Sequence, residues 1–357
     1  MVKASLAKIA YQTLQGGKTL AGLAHKELST RAMEFLAPEA ISAIEPISKD
    51  LLESVQTSMR ELAELDWEEA ENNIYPKDLL FKDPWIEWAK NYPLIWLDLP
   101  STWERRKKRN TRDIPKAVSI ANYPEYYLQN FHHQTDGYLS DHSAGLYDLQ
   151  VEILFNGAAD QMRRRILKPL IQSLKKFKGI RQQDLRVLDV ATGTGRTLHQ
   201  IRGTFPTIEL LGIDLSPSYL KKASQNLNKY DNNLVQLIKG NAEELPFPDE
   251  SMHVITCVFL FHELPPKVRQ NVLNECWRVL KKDGSLILAD SIQLADSPNF
   301  FSLMDNFHKM FHEPYYKDYI NDDIESRLIK SRFNLIEANS YFMTRVWHSS
   351  KISEAND

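Results

Sequence analysis

One short stretch, Val187-Leu-Asp-Val-Ala-Thr-Gly-Thr-Gly-Arg-Thr-Leu198, constrains the fold of this chain more than any other feature. Its apolar start is typical of a parallel strand that is buried on both faces. Asp189 places a carboxylate at the end of that run, and Gly193 and Gly195 allow a sharp turn with close backbone approach to a ligand. The stretch therefore predicts a strand, a ligand-binding turn and the start of a helix.

Strand and helix patterns alternate after this stretch, which indicates a parallel α/β sheet. Ser216-Pro217 has the residue types of a helix N-cap and first turn, and Gly284 is expected to end a helix that starts near Pro266. The further predicted strands are 208–214, 234–238, 254–259 and 285–289, with a final pair at 333–338 and 342–347.

The chain before the sheet divides into regions that differ in composition and in hydrophobic periodicity. Residues up to about Asn73 have helical periodicity that Pro38 and Pro46 interrupt. The proline- and tryptophan-rich region 75–123 is expected to be irregular but packed, with Arg105–Arg109 in a solvated loop. A helix is predicted from about Ala158, and its solvated face is expected to contain three consecutive arginines, Arg163, Arg164 and Arg165.

Composition narrows the class of protein. The 357 residues are 43% hydrophobic and 25% charged, as in ordinary globular proteins, and the net charge of -3 disfavours a nucleic-acid partner. No apolar run reaches the roughly 18 residues that a spanning helix needs. Cys257 and Cys276 have no disulfide or zinc spacing, so we expect a reducing compartment and no metal.

The N-terminal segment leaves two interpretations open. Its first acidic residue is Glu27, and the lysines before it alternate with apolar residues. The pattern fits a transit peptide or a membrane-surface helix, but a plain amphipathic helix is favoured because arginine is absent there. We expect a cytoplasmic protein, with an organelle stroma or a membrane surface as the alternative.

The turn discriminates between two cofactor classes. A dinucleotide fingerprint needs a third glycine, and Leu198 stands at that position. Asp189 would also repel a pyrophosphate, whereas it would favour the ammonium and sulfonium groups of S-adenosylmethionine. Asp214 ends the next strand, where an acid can hold a ribose, and Asn241 follows the third strand.

The segment from about Val187 to Asp290 resembles a class I S-adenosylmethionine-dependent methyltransferase, and it is most similar to the small-molecule group that includes quinone-biosynthesis C-methyltransferases. The matching motifs are VLDVATGTG, LLGIDLSPSYL, GNAEELPFPDESMHVITCVFLFHEL and CWRVLKKDGSLILAD. The resemblance implies a Rossmann-like, seven-stranded sheet that ends in a reversed hairpin, with S-adenosylmethionine as cofactor.

The resemblance also assigns cofactor contacts. It places the methionine part against Asp189 and the turn, the ribose at Asp214, the adenine at Asn241 and Ala242, and the methyl group near Phe259. Ala191 stands where many members have glycine, and Asn241 where an aspartate is usual. The full predicted set is Asp189, Ala191, Thr192, Gly193, Thr194, Gly195, Asp214, Leu215, Asn241, Ala242, Phe259 and Tyr147.

A general base is needed only if the methyl acceptor must lose a proton. His262 follows the fourth strand and is the first candidate, with His133, Tyr138 and Tyr147 as alternatives. The last three lie in the stretch Tyr123–Asp148, whose polar and aromatic residues form either a substrate pocket or a plug at a domain junction.

These features predict methyl transfer to a small or lipid-like acceptor. The motifs of nucleic-acid methyltransferases are absent: Phe261–Pro266 lacks the Asn/Asp-Pro-Pro-aromatic motif, and neither cysteine follows a proline. The alternative is a catalytically silent, cofactor-binding interaction module. We expect residues 1–120 to form an added helical and aromatic region, and 121–357 the methyltransferase domain with a substrate-side cap at about 121–180. Peripheral membrane contact and the oligomeric state stay open.

Overall fold

The computed structural model describes residues 2–116, 118–228 and 235–351, with side chains from residue 6 onward. Its centre is a seven-stranded sheet in the order β3-β2-β1-β4-β5-β7-β6. Strands β1 to β5 pair in parallel, while β7 runs antiparallel to both β5 and β6. The strands are β1 (Arg186–Val190), β2 (Glu209–Asp214), β3 (Val235–Lys239), β4 (Met252–Val258), β5 (Leu280–Ser291), β6 (Phe333–Tyr341) and β7 (Thr344–Lys351).

This sheet confirms the predicted fold class and the reversed C-terminal hairpin. Every residue of β4 is buried, as its largely apolar sequence predicts for a central strand. The strand order reverses between β1 and β4, so their carboxyl ends flank the crevice where open α/β sheets bind ligands. Leu234, at the start of the predicted third strand, lies outside the described residues.

The role predicted for Gly284 is wrong. The helix ends at Val279, and Gly284 lies inside β5, where the pairing with β4 is irregular. A side chain at this position would meet the carbonyl oxygen of His253 at 2.9 Å. Gly284 therefore permits close approach of two strands instead of capping a helix.

Helices occupy the N-terminal region and the connections of the sheet. They are α1 (Val2–Leu36), α2 (Lys49–Glu71), α3 (Trp85–Lys108), α4 (Asp141–Leu154), α5 (Ala159–Arg164), α6 (Leu167–Leu174), α7 (Arg196–Thr204), α8 (Pro217–Leu227), α9 (Pro266–Val279), α10 (Phe301–Met310), α11 (Tyr316–Tyr319) and α12 (Ile324–Lys330). Among the described residues, no helix is both long and apolar enough to cross a membrane.

The expectation of irregular structure over residues 75–123 is wrong for α3. This helix contains Pro93 and Pro100, yet Trp88 and Ile95 are buried against Leu146 and Leu149 of α4. Burial of such side chains offsets the roughly 3 kcal/mol that an interior proline costs a helix. The predicted solvated loop at 105–109 is also wrong, because residues 105–108 form the last turn of α3 and Arg109 is its C-cap. Positive side chains in this turn interact favourably with the negative end of the helix dipole.

The prediction that Arg163, Arg164 and Arg165 form a solvated helix face is also wrong. Arg163, Arg164 and Arg165 are at most 6% exposed, and the predicted single helix is divided between α5 and α6. Helical periodicity alone does not distinguish a charged face that meets solvent from one that meets other parts of the protein.

The chain forms two compact units. One runs to Met162 and includes Ser302–Glu313, and the other comprises Arg163–Phe301 and the chain from Pro314 onward. The division at residue 120 and the substrate-side cap at about 121–180 stay predictions. All seven strands belong to the second unit.

Candidate functional site

The turn after β1 is held open by left-handed backbone at three positions. Ala191, Gly193 and Gly195 have φ values of 56°, 53° and 78°. The amide of Thr192 donates to the carbonyl of Ile213 at 3.0 Å, and that of Gly195 donates to the carbonyl of Thr192 at 2.9 Å. A side chain at Gly193 would meet only Tyr219, at 4.0 Å. The turn therefore offers free space over a fixed backbone, as a ligand cradle requires.

Gly212 of the neighbouring strand β2 leaves room for the first turn of α7, because it has no side chain. Leu198 is fully buried where a dinucleotide fingerprint would have glycine. A side chain at Gly212 of β2 would lie 2.7 Å from Leu198 and 3.0 Å from Thr192. Gly212 thus lets α7 and the turn pack closely on the sheet, and the sequence interpretation did not include it.

Asp189 is a buried acid that is hydrogen-bonded to the turn and to the neighbouring strand β4. Its two carboxylate oxygens accept hydrogen bonds from the hydroxyls of Thr192 at 2.7 Å and Thr256 at 2.6 Å. Burial raises the pKa of Asp189 to about 7, against the opposing effect of these hydrogen bonds. Since the side chain is only 1% exposed, its charge can act on a ligand through its field and through the geometry of the turn.

Asp214 lies at the carboxyl end of β2, beside the same turn. Its carboxylate accepts from the amides of Gly193 and Ser216, each at 2.8 Å. Burial raises its pKa to about 6, and the negative charge of Glu263 adds to the increase. The remaining lone pairs can accept from hydroxyl donors such as those of a ribose. Leu215 follows it, and Ser216 caps α8 as predicted.

Glu263 brings a third carboxylate to the site. It lies in the turn after β4, and its negative charge is one of the smaller causes that raise the pKa of Asp214. Together with Asp189, these groups create an acidic environment at the switch point of the sheet. Such an environment favours a cationic ligand with hydroxyl donors over a pyrophosphate.

The predicted adenine contacts lie in the loop after β3. The side-chain oxygen of Asn241 accepts from the amide of Glu243 at 3.0 Å, which shapes the loop. Asn241 and Ala242 are both partly exposed. Their contact with an adenine stays a prediction, since an amide oxygen can accept a second hydrogen bond.

Phe259 follows β4 with a left-handed backbone, φ 58°, and its amide donates to the carbonyl of Ala289 at 2.8 Å. Such a conformation is uncommon for a bulky residue and is maintained here by the flanking strand. The guanidinium carbon of the buried Arg163 lies 5.9 Å from the centroid of its ring. A cationic and an aromatic group therefore border the exit of β4.

His262 forms a close polar contact with an acid of the neighbouring strand. Its Nδ1 lies 2.6 Å from Oδ1 of Asp290, which ends β5 and is fully buried. Burial lowers the pKa of His262, but the neighbouring carboxylate outweighs that effect and the net pKa is raised. Asp290 and Thr256 were not among the predicted site residues, although an acid at the end of a predicted strand was the same signal that identified Asp214.

The remaining predicted site residues lie in the other unit. Burial lowers the pKa of His133 to about 4, so its imidazole is neutral at ordinary pH. The ring of Tyr138 stacks on Phe131 at 5.5 Å and meets Tyr147 edge-on at 5.9 Å. The structure places these three residues in a packed aromatic region, and their catalytic or binding roles stay predictions.

One acidic cluster in the N-terminal unit has the spacing of a metal site. Asp83, Glu152 and Asp160 present ligand atoms within 4.8 Å of one another. The ammonium of Lys18 lies 3.1 Å from Asp83 and 3.4 Å from Glu152. This internal cation compensates the carboxylates, so we assign no metal to the cluster.

Comparison with known proteins agrees with this geometry. Residues 187–284 match the family described as "Methyltransferase domain". The chain is 33% identical over 152 residues to a demethylmenaquinone methyltransferase of Thermotoga maritima, covering 43% of this chain and 59% of that protein. It is 36% identical over 105 residues to the enzyme of the same name from Deinococcus radiodurans, covering 29% and 42%. The chain thus spans about half the length of the curated relatives it matches.

Solved structures with low identity to this chain were also found. An S-adenosylmethionine-dependent methyltransferase from Aquifex aeolicus is 20% identical, with a TM-score of 0.38 over 52% of this chain and 89% of that one. The strand order, the turn and the family match together define a class I S-adenosylmethionine-dependent methyltransferase domain, with S-adenosylmethionine as its cofactor. Within that class it resembles the quinone C-methyltransferases.

The residues present fit this cofactor. The open cradle at Gly193 accepts a ligand without steric conflict, and the acids suit its positive groups and ribose hydroxyls. Asp214 would hold the ribose, and the turn Ala191–Gly195 would receive the methionine part. Each of these residue assignments stays a prediction.

Proposed function

We propose that the whole chain catalyses methyl transfer from S-adenosylmethionine to a small, lipid-like organic acceptor. The observation that carries the proposal is the pair of buried acids at the ends of β1 and β2, Asp189 and Asp214, which are hydrogen-bonded to an open glycine turn. When bound, the cofactor supplies an electrophilic methyl group on a sulfonium sulfur. The chain contributes orientation, which can provide much of the rate enhancement of such a transfer.

The acceptor class is proposed from the relatives. The curated proteins similar to this chain are named for demethylmenaquinone, a lipid-like quinone. Phe259 borders the predicted methyl position and offers an aromatic surface on which a planar ring can stack. We therefore propose a prenylated aromatic ring, in its reduced hydroquinone form, as the first acceptor to test.

The test combines labelled cofactor with a defined acceptor. The full chain is incubated with methyl-labelled S-adenosylmethionine and a prenylated naphthohydroquinone, and the organic phase is analysed by mass spectrometry. We expect one labelled methyl group per acceptor, and loss of the product in Asp214→Asn. The exposed residue Asp249 provides the matched control, Asp249→Asn, which should retain activity.

The alternative is a catalytically silent module that binds the cofactor and interacts with a partner. Labelled product from the hydroquinone, or from lipid extracts of the source organism, would exclude it. Cofactor binding without labelled product in either would contradict the proposed catalytic function and support the module.

A further inference from the structure

We propose that His262 and Asp290 form a proton-accepting pair, in which Asp290 positions His262 to deprotonate a protic methyl acceptor. The inference rests on the proposed function and narrows it to acceptors with an ionisable hydroxyl group, as in a hydroquinone or phenol. Asp290 is a positioning residue in this scheme, because it acts through His262.

The first argument is the fixed orientation of the imidazole. Asp290 accepts from the amides of Phe261 at 2.6 Å and Ser291 at 2.8 Å, in addition to its contact with Nδ1 of His262. An ionised carboxylate can only accept hydrogen bonds, so Nδ1 of His262 must carry the proton that it donates to Asp290. The lone pair of neutral His262 is then on Nε2. This is the arrangement that a carboxylate–histidine pair needs for base catalysis.

The second argument is the rigidity of the turn that carries His262. Arg269 of α9 is fully buried, and its Nε donates to the carbonyl of Phe261 at 2.9 Å. The same guanidinium contacts Asp318 and Asp322, each at 2.7 Å. A planar guanidinium with several fixed partners holds the backbone of the turn in place.

The third argument is the position of this turn at the cofactor crevice. His262 comes three residues after Phe259, in the turn that follows β4, and Asp290 lies next to the last residue of β5. The pair therefore lies at the ends of β4 and β5, on the edge of the sheet where β1 and β2 end in the predicted cofactor contacts.

Aromatic side chains of α11 limit the access of water to the pair. Tyr316 and Tyr319 meet the imidazole edge-on, each with a centroid distance of 6.2 Å. The hydroxyl of Tyr316 lies 2.9 Å from the hydroxyl of Ser291, and the hydroxyl of Tyr319 donates to the carbonyl of Ser291 at 2.6 Å. His262 is only 8% exposed, which favours proton exchange with a bound acceptor over exchange with bulk water.

The proton transfer balances. The acceptor's O–H bond breaks and its proton moves to Nε2 of His262. Deprotonation would raise the nucleophilicity of the acceptor oxygen or of a conjugated ring carbon, which forms the new bond to the methyl carbon while the electrons of the broken sulfur–carbon bond stay on sulfur. Where a ring carbon is methylated, that carbon then loses its hydrogen as a proton to solvent and the ring oxygen regains a proton from solvent, which restores the aromatic hydroquinone. His262 then carries one additional proton, which solvent removes after release of the products.

The pair predicts a pH profile that a structural role would not produce. Turnover requires neutral His262, so it should rise with pH through the raised pKa of this residue. Removing the negative charge in Asp290→Asn should move the midpoint to lower pH. The charged and titratable groups that face His262 are Asp290 of β5, Glu263 of the same turn, Arg269 of α9, and Tyr316 and Tyr319 of α11.

The experiment uses the full chain with methyl-labelled cofactor and the prenylated naphthohydroquinone. We expect His262→Ala to lower turnover about a hundredfold or more, with cofactor affinity within about twofold and partial rescue by added imidazole. His308→Gln is the matched histidine control and should leave turnover unchanged. Equal turnover in His262→Ala and the unmodified protein would overturn the inference while leaving the proposed function intact.

A second measurement does not depend on the acceptor or on turnover. In ¹⁵N-histidine-labelled protein, the His262 signals should show a proton on Nδ1 and titration at Nε2, with a pKa above the ordinary value of about 6.5 that falls in Asp290→Asn. A proton on Nε2 of neutral His262, or titration unaffected by Asp290→Asn, would overturn the inference.

Discussion

Asp189 provides the sharpest quantitative prediction, because it is a buried acid whose ionisation opposes folding. Its pKa is raised from 3.8 to about 7. Each pKa unit corresponds to about 1.36 kcal/mol, so full ionisation destabilises the folded state by about 4 kcal/mol. A carboxyl group with a raised folded pKa contributes stability below pH 3.8, which is lost as the pH rises towards 7.

Asp189→Asn removes this ionisation while keeping the shape of the side chain. We expect the variant to exceed the unmodified protein in free energy of unfolding by up to about 4 kcal/mol at pH 8 and by about 1 to 2 kcal/mol at pH 5. The same change should weaken cofactor binding, because the ionised carboxylate favours a cationic ligand. Stability gained at the expense of binding is the pattern expected of a functional site.

The measurement is native-state hydrogen exchange of peptides from β1 and β2 at pH 5, 6.5 and 8, after correction for the intrinsic pH dependence. These peptides report on the unit that contains Asp189 and not on the N-terminal unit. Asp249→Asn, at an exposed carboxylate, serves as control. A variant that is less stable than the parent at pH 8, or a difference that does not change with pH, would refute the reasoning.

Three further predictions concern the same turn. Ala191→Gly should stabilise the protein by about 0.5–1 kcal/mol in urea unfolding, because alanine at φ 56° is strained; a loss of stability would contradict this. Gly212→Ala should destabilise the turn by about 1–3 kcal/mol and weaken cofactor binding, since its methyl group would lie 2.7 Å from Leu198. Cofactor affinity should rise between pH 5 and pH 8, as Asp189 and Asp214 ionise at about 7 and about 6; calorimetric titration showing a fall would exclude this linkage.

The predictions that succeeded depend on local sequence. A buried strand ending in an acid and followed by a small-residue turn is a short-range pattern, and the parallel order of such units follows from the handedness of their connections. For this reason β1, the glycine turn and the position of Asp214 could be predicted without tertiary information.

The predictions that failed depend on contacts between distant segments. The prolines of α3 predict a broken helix, but Trp88 and Ile95 are buried against α4 and maintain it. The arginines at 163–165 are periodic with a helix, yet all three are buried, and the guanidinium of Arg163 lies against the ring of the sequence-distant Phe259. The contact between His262 and Asp290 also joins two elements, so the sequence could place each residue near a strand end but could not pair them.

The most direct test of the central claim is isothermal titration of the full chain with S-adenosylmethionine and S-adenosylhomocysteine. Binding at one site is expected for the unmodified protein and for Asp249→Asn, with an affinity at least about tenfold weaker in Asp214→Asn, because loss of a charged hydrogen-bond acceptor costs about 1.5–3 kcal/mol. Failure of the unmodified protein to bind either compound, or equal affinity in Asp214→Asn, would contradict the assignment of the cofactor to this crevice.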